Sequence, residues 1–318
     1  AAYIYTRDAS TGQWGSEQKI QAGDKQASDE FGRSVGISGD YAIVGAPYED
    51  TGGASAGAAY IFKRDGTTWS EIKKLTADNR QQSDEFGYSV SISGNYAIVG
   101  ALFEDTNGDN AGAAYIYEAP NLIPNLTQDE YNKLTLNSLN DIQSSRLTLN
   151  SNTYTANGPV SKFFVNEAGT YEVSATGSDA YAIVKKTVSA PITLTEADIA
   201  WNDYTQMDTT EQKITASNAS SQDLFGFSVS ISGDYAIVGA YQEDTGGNDA
   251  GAVYIYKRDA STGVWRSEQK IHANDKETFD YFGYSVSISG DYAPVRAYSE
   301  AMGGKDAGAA SVIKRTVT

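Results

Sequence analysis

Carboxylates recur at fixed places along this chain, and clustered carboxylates are the side chains best suited to attract a cation or a basic partner. An aspartate stands two residues before each of four Phe-Gly pairs, at Asp29, Asp84, Asp223 and Asp280. A second acidic set follows at Glu49-Asp50, Glu104-Asp105, Glu243-Asp244 and Glu300. Asp in a turn also bonds nearby backbone amides, so each set has a structural reading beside the ligand reading. The ligand reading selects Glu49, Asp50, Glu104, Asp105, Glu243 and Asp244. For a metal, Asp105, Asn107 and Asp109 place oxygen donors at alternate positions of Asp105-Thr106-Asn107-Gly108-Asp109, as calcium loops do. That stretch lacks the terminal Glu of an EF-hand, and its counterpart from Asp50 to Ala54 lacks a second and third donor. Calcium is the one cofactor expected, and on these grounds its addition should raise the melting temperature.

The residues offer little for catalysis. His272 is the single histidine, in a strand position that Gln21 fills in another copy, and no nucleophile has a base beside it. A carboxylate pair can cleave a glycosidic bond, yet no acid here differs from its mates in the other copies. A catalytic site normally breaks repeat symmetry, and the asymmetric features are Pro294, Arg296 and one long insertion. The expectation is a non-enzymatic chain, with a glycan-active enzyme as a remote alternative.

Charge and composition narrow the partners. The 318 residues hold 24 basic and 41 acidic side chains, a formal charge of −17, which argues against nucleic acid. There is no cysteine, hence no disulfide framework and no thiolate metal site. No apolar run reaches the roughly 18 residues that a membrane helix needs. The sequons Asn125-Leu126-Thr127 and Asn218-Ala219-Ser220 matter only in a eukaryotic secretory route.

The elements that position these acids repeat. Gly39-Asp40-Tyr41-Ala42-Ile43-Val44-Gly45-Ala46 returns from Gly94, from Gly233 and, altered by Pro294 and Arg296, from Gly290. The Phe-Gly pairs at Phe31, Phe86, Phe225 and Phe282 are 55, 139 and 57 residues apart, so one copy carries about 80 extra residues. Periods of this size mean solenoids or propellers. Within a period, step-two alternation and turn signals predict four antiparallel strands. They are strand A over Gly87 to Ser93, B over Tyr96 to Ala101, C over Ala113 to Tyr117, and D as in Ser70 to Leu75. Gly-Asp or Gly-Asn joins A to B, a tight hairpin that tolerates positive φ. Four such strands make one propeller blade.

The pattern Asp-x-Phe-Gly-x-Ser-Val-x-Ile-Ser-Gly-Asp-Tyr-Ala-Ile-Val-Gly-Ala resembles the FG-GAP repeat, best known from the head of integrin α subunits. The resemblance covers about three quarters of the chain. It implies an all-β fold, a β-propeller that works as an extracellular recognition or adhesion module for a protein or glycan ligand. A structural component of a surface, filament or virion is the alternative. In the integrin type of repeat a long, Asp-rich A-to-B loop holds calcium. Here that loop is Gly-Asp, so that calcium site does not carry over.

Propeller blades would occupy 1–117 and 197–318, with the insertion at 118–196. Inside the insertion, strands are expected at Lys133 to Leu136, Arg146 to Leu149, Lys162 to Val165, Thr170 to Ala175 and Ala182 to Val188. It reads as a small β-sandwich. Glu167 to Val173 resembles the approach to strand F of an immunoglobulin-like domain, with Tyr171 as its tyrosine corner; a generic sandwich fits as well. Ala1 to Tyr5 reads as a C strand, Ser16 to Ile20 as a D strand and Ala309 to Lys314 as a final C strand. Two arrangements follow. Either the blades belong to a larger propeller or assembly, or the last A and B strands join the first C and D strands in a four-bladed ring. Proline cannot donate to a ladder, so Pro294 predicts an edge or poorly paired last blade.

The C-to-D loops from Arg7 to Trp14, Arg64 to Trp69 and Arg258 to Trp265 faintly resemble the Asp-box turn of sialidase propellers, a structural turn. Trp14, Trp69 and Trp265 either stack on sugars or pack on the neighbouring strand. Because strands alternate in direction, the D-to-A and B-to-C loops share one face, and it receives most of the repeated acids.

Overall fold

The computed structural model describes residues 1–94, 96–118, 211–259, 262–299 and 307–315, together with the backbone of six strands between 144 and 195. Chain contacts divide it into two compact units, Ala1–Leu122 with Thr210–Thr318, and Ile123–Thr209.

The first unit is a series of antiparallel sheets. Strands β1 (Ala2–Arg7) and β2 (Trp14–Ile20) form a two-stranded sheet. A four-stranded sheet follows, the repeating unit here termed a blade, with β3 (Val35–Ser38), β4 (Tyr41–Ala46), β5 (Ala58–Asp65) and β6 (Thr68–Leu75) in sequential order. The second blade has β7 (Ser89–Ser93), β8 (Tyr96–Ala101) and β9 (Ala113–Glu118). The second unit holds β10 (Ser144–Leu149), β11 (Asn152–Asn157), β12 (Lys162–Val165), β13 (Gly169–Thr176), β14 (Tyr181–Val188) and β15 (Ile192–Thr195). Only beyond it comes the fourth strand of the second blade, β16 (Gln212–Ile214), so Gln212 pairs with Ile116 across the insertion. The third blade is β17 (Ser228–Ser232), β18 (Tyr235–Ala240), β19 (Ala252–Arg258) and β20 (Trp265–Ile271), and the last sheet is β21 (Phe282–Val286), β22 (Tyr292–Ala297) and β23 (Ala309–Lys314).

These strands form where the side chains alternate. In β7 the pattern Ser-Val-Ser-Ile-Ser buries Val90 and Ile92 and leaves the hydroxyls partly accessible. The hydroxyls then join blades: Ser89 Oγ donates to Gly226 O at 2.7 Å, and Ser91 Oγ accepts from Ile231 N at 3.3 Å. Gly39, Gly94, Gly233 and Gly290 turn strand A into strand B with φ of 53–57°. Asp40, Asp234 and Asp291 then pair with Arg64 and Arg258 of strand C and with Arg315 just past the end of β23.

Blades nest through the Val-Gly-Ala glycine. A Cβ on Gly45, Gly100 or Gly239 would meet the carbonyl oxygen of Gly87, Gly226 or Gly283 in the next blade at 1.9, 2.0 or 2.1 Å. Real Cβ atoms do not come so close, so only glycine permits the contact. In the last sheet this position is Arg296, and no further blade follows it among the described residues. Apolar cores lie between neighbours: Ile43, Ala59 and Ile61 of the first blade pack with Val90, Ile92 and Val99 of the second.

The poor pairing that Pro294 predicts for the last sheet falls at β21, whose pairing with β22 breaks register between Phe282 and Ser285; β22 itself is the central strand of its sheet, with Pro294 opposite Val312 and its carbonyl accepting from Ser287 N. Of the two arrangements open from the sequence, the four-bladed ring does not form here, because β23 occupies the edge of β22 that β1 would need.

The second unit has a four-stranded sheet of order β11-β10-β13-β14 and a two-stranded sheet of β12 and β15. Four of the five expected strands appear, with β11 and β15 in addition. The expected strand at Lys133 to Leu136 lies outside the described residues. No described helix is long and apolar enough to cross a membrane.

Candidate functional site

The Phe-Gly face is built on a strained loop. Ser83 and Glu85 have φ of 70° and 54°, left-handed values that L side chains rarely adopt, and Asp84 between them is buried. Its carboxylate accepts from Gln81 N at 2.7 Å; Asp29, Asp223 and Asp280 accept likewise from Gln26, Ser220 and Glu277. The repeated aspartate thus fastens its own loop. Burial pushes the carboxyls of Asp84 and Asp223 up to about 6, with the backbone N–H bonds opposing only part of that shift.

The second acidic set splits in two. Glu49, Glu104 and Glu243 are buried. Glu104 accepts from Lys213 Nζ at 2.6 Å and Asn79 Nδ2 at 3.1 Å, and bonds the Thr106 hydroxyl. Lys213 also lies over the Tyr115 ring at 5.9 Å, and Tyr115 donates to Asn79 Oδ1 at 2.9 Å. Glu243 repeats this with Lys270, Asn218, Thr245 and Tyr254. In the first blade Glu49 pairs with Lys74 at 2.9 Å, while Asp24 replaces the asparagine and binds both Lys74 and Tyr60. Burial raises the pKa of Glu104 and Glu243, but the lysine and threonine bonds outweigh it and the net shift is downward. Asp50, Asp105 and Asp244 are exposed and accept from the backbone N–H of Ser55, Asn110 and Asp249 at 2.8, 2.7 and 2.9 Å. Asn107 and Asp109 lie on the same loop as Asp105, and among the described residues no three His, Cys, Asp or Glu side chains converge on one point. His272 Nδ1 is 3.9 Å from Glu243 Oε2, beyond hydrogen-bond reach.

The structure also brings together a set that consensus reading passes over. The residue after each Phe-Gly is Arg33, Tyr88, Phe227 and Tyr284, and the four form a line across the blades. Arg33 donates to the Tyr88 hydroxyl at 2.6 Å and covers its ring at 4.5 Å. Tyr88 meets Phe227 at 5.2 Å, Phe227 meets Tyr284 at 4.9 Å, and Tyr284 stacks on Tyr298 at 4.9 Å. Tyr241, from the adjoining B-to-C loop, packs on Phe227 at 4.3 Å and on Tyr281 at 5.6 Å. Most of these rings are half-buried, so each keeps part of an aromatic face in solvent. Glu30 and Glu85 flank the Arg33 end. Burial pushes Glu85 up to about 7, with Arg33 opposing and Glu30 adding to the shift. A strip of rings with acids at one end can stack on a sugar or hold a cationic side chain by cation–π attraction.

The three tryptophans divide. Trp69 and Trp265 are buried, and each has its backbone clasped by a glutamine of the preceding sheet, Gln18 to Trp69 O at 2.8 Å and Gln212 to Trp265 O at 2.5 Å. Trp14 is 70% exposed. In the C-to-D loop before it, Asp8 accepts from Ser10 N and Thr11 N, both at 2.8 Å, and so closes the turn.

The repeat profile described as FG-GAP repeat matches residues 14–62, 69–117, 209–256 and 265–313, more than half of the chain. The chain belongs to the FG-GAP repeat family. Each match runs from the start of a D strand, within a few residues, into the C strand of the next sheet, so the nested contacts Gly45–Gly87, Gly100–Gly226 and Gly239–Gly283 each join one matched segment to the next. Such repeats are consistent with propeller blades. Among solved structures, Sqt1 of Saccharomyces cerevisiae is similar over 86% of this chain and 81% of that one, at 11% identity and a TM-score of 0.20. No curated protein matches the chain.

Proposed function

We propose that this FG-GAP protein is a non-enzymatic recognition module that binds a protein or glycan ligand on its Phe-Gly loop face, outside the cell or on a surface. The observation that carries the reading is the aromatic strip from Arg33 to Tyr298, which lies where the D-to-A and B-to-C loops meet. The exposed Asp50, Asp105 and Asp244 sit on the B-to-C loops, and their negative charge favours neutral or cationic ligands over anionic ones. Calcium belongs to the same proposal at Asp105, Asn107 and Asp109, on donor chemistry alone. The insertion fits an immunoglobulin-like sandwich in its strand pattern.

The test uses an array of neutral oligosaccharides and a set of immobilised Arg-rich peptides. Wild type should retain at least one probe. Tyr88→Ala and Tyr298→Ala should each weaken that binding about tenfold or more, the usual cost of losing an aromatic contact. Binding by neither class, or binding indifferent to both variants, refutes the reading.

A further inference from the structure

We propose that Lys74 and Asp24 become joined by an amide bond that the chain forms on itself, a covalent staple between strand D of the first blade and the loop that follows β2. A nucleophile, an electrophile and a proton carrier already meet there. Lys74 Nζ, on β6, lies 2.6 Å from Asp24 Oδ2 and 2.9 Å from Glu49 Oε1. Tyr60 on β5 donates to Asp24 Oδ1 at 2.8 Å, and its ring centre is 5.6 Å from the amine. Glu49 is buried, and its Oε2 has no hydrogen-bond partner among the described residues, so that oxygen is free to hold a proton in transit.

The repeat supplies its own comparison. In the second and third blades Asn79 and Asn218 stand where Asp24 stands, and each donates through Nδ2 to the blade's glutamate at 3.1 Å. Lys213 and Lys270 bond that same glutamate oxygen at 2.6 Å and a threonine hydroxyl at 2.8 Å. Amine and carboxamide there are two donors facing one acceptor. In the first blade the aspartate offers an oxygen instead, and the amine has moved towards it. Asp24 is the shortest of its contacts, while the Thr51 hydroxyl has receded to 3.3 Å.

Burial works against both charges, yet their mutual hydrogen bond holds the Asp24 pKa below its ordinary value and the Lys74 pKa above, so a proton must move before an amide forms. Glu49 takes that proton from the Lys74 ammonium and delivers it to Asp24 Oδ2, which leaves a neutral amine beside a neutral carboxyl. The nitrogen lone pair attacks Cγ, and the Tyr60 hydroxyl stabilises the negative charge that develops on Oδ1. Glu49 then carries a second nitrogen proton to the departing oxygen. The C–Oδ2 bond breaks, Oδ2 leaves as water with the two protons, and Glu49 ends as it began. Fixed contact between the groups replaces the encounter that a free amine and acid would need. The two residues are 50 apart in sequence, so the bond closes a loop that holds β3, β4 and β5.

Intact-mass spectrometry of the full chain, followed by tryptic mapping, tests the staple. Wild type, kept folded for several days, should become lighter than its sequence dictates by one water, with cleavage after Lys74 lost and a branched peptide joining Lys74 to Asp24. Lys74→Arg and Asp24→Asn should keep the full mass. Asp24→Asn reproduces the arrangement of the second and third blades, so it tests the bond in a chain that folds. Glu49→Gln should slow the mass loss about a hundredfold or more, the usual worth of a positioned acid–base group. A folded wild type that keeps its full mass overturns the proposal. Water loss traced to an aspartyl succinimide, or proceeding at the wild-type rate in Glu49→Gln, overturns it as well.

Discussion

Replacing Gly100 by alanine tests the nesting of the blades. The new methyl carbon would lie 2.0 Å from Gly226 O and 2.4 Å from Ser89 Oγ, both fixed by the Ser89–Gly226 hydrogen bond. Neither is the free end of a flexible side chain, so the two blades must part. Overpacking costs about 1–3 kcal/mol, and a backbone obstacle belongs at the upper end. The lost Ser89 bond adds roughly 1 kcal/mol. A total near 4 kcal/mol corresponds to a fall of about 8–16 °C in Tm for a unit of this size. Gly15→Ala is the control, because nothing lies within 4 Å of its Cβ and its φ is ordinary. Calorimetry should place Gly15→Ala within about 1 °C of wild type. If Gly100→Ala also melts there, the glycine is not what sets the blade spacing, and Arg296 loses its meaning as a stop.

Two further predictions concern buried acids and have opposite pH signatures. Asp84 has its folded pKa raised to about 6 from 3.8, so the folded chain binds its proton first and loses stability as pH rises from about 4 to 6. Asp84→Asn keeps an acceptor for Gln81 N and should gain on wild type across that window, by roughly 2–3 kcal/mol above it; urea titrations at pH 4 and pH 7.5 decide. Glu104 has its folded pKa lowered, so its ion pair with Lys213 contributes stability above pH 4.5 that is lost as pH falls through the folded value. Lys213→Met should therefore cost about 3–5 kcal/mol at pH 7, the cost of a buried carboxylate without its cation, and the deficit should shrink towards pH 3.

Much of this fold is written in local residue patterns, and much of the site is not. The Gly-Asp hairpins and the strands at Tyr41, Tyr96 and Tyr235 fall where alternation and turn chemistry put them, because a hairpin is decided by neighbours in sequence. The acids could not be sorted that way. Glu104 and Asp105 are adjacent, yet one is buried and the other exposed, and the partner that decides it, Lys213, is 109 residues away beyond the insertion. The aromatic strip escaped because Arg33, Tyr88, Phe227 and Tyr284 vary within a motif otherwise constant, and reading the consensus discards what varies. Val35 and Ile37 carry the same pattern as Val90 and Ile92, and only the neighbouring sheet makes them differ in burial. Arg296 was visible as a break in the repeat, but its physical meaning required the 2 Å approach of one blade to the next.

The central claim is that recognition belongs to the Phe-Gly face. An amide NMR titration of the full chain with whichever oligosaccharide or Arg-rich peptide it retains tests this most directly. The account predicts shifts concentrated at Arg33, Tyr88, Phe227, Tyr284 and Tyr298, spreading to Glu85 and Asp105. Shifts confined to residues 123–209, or to the C-to-D turns at Asp8 and Asp259, would contradict it.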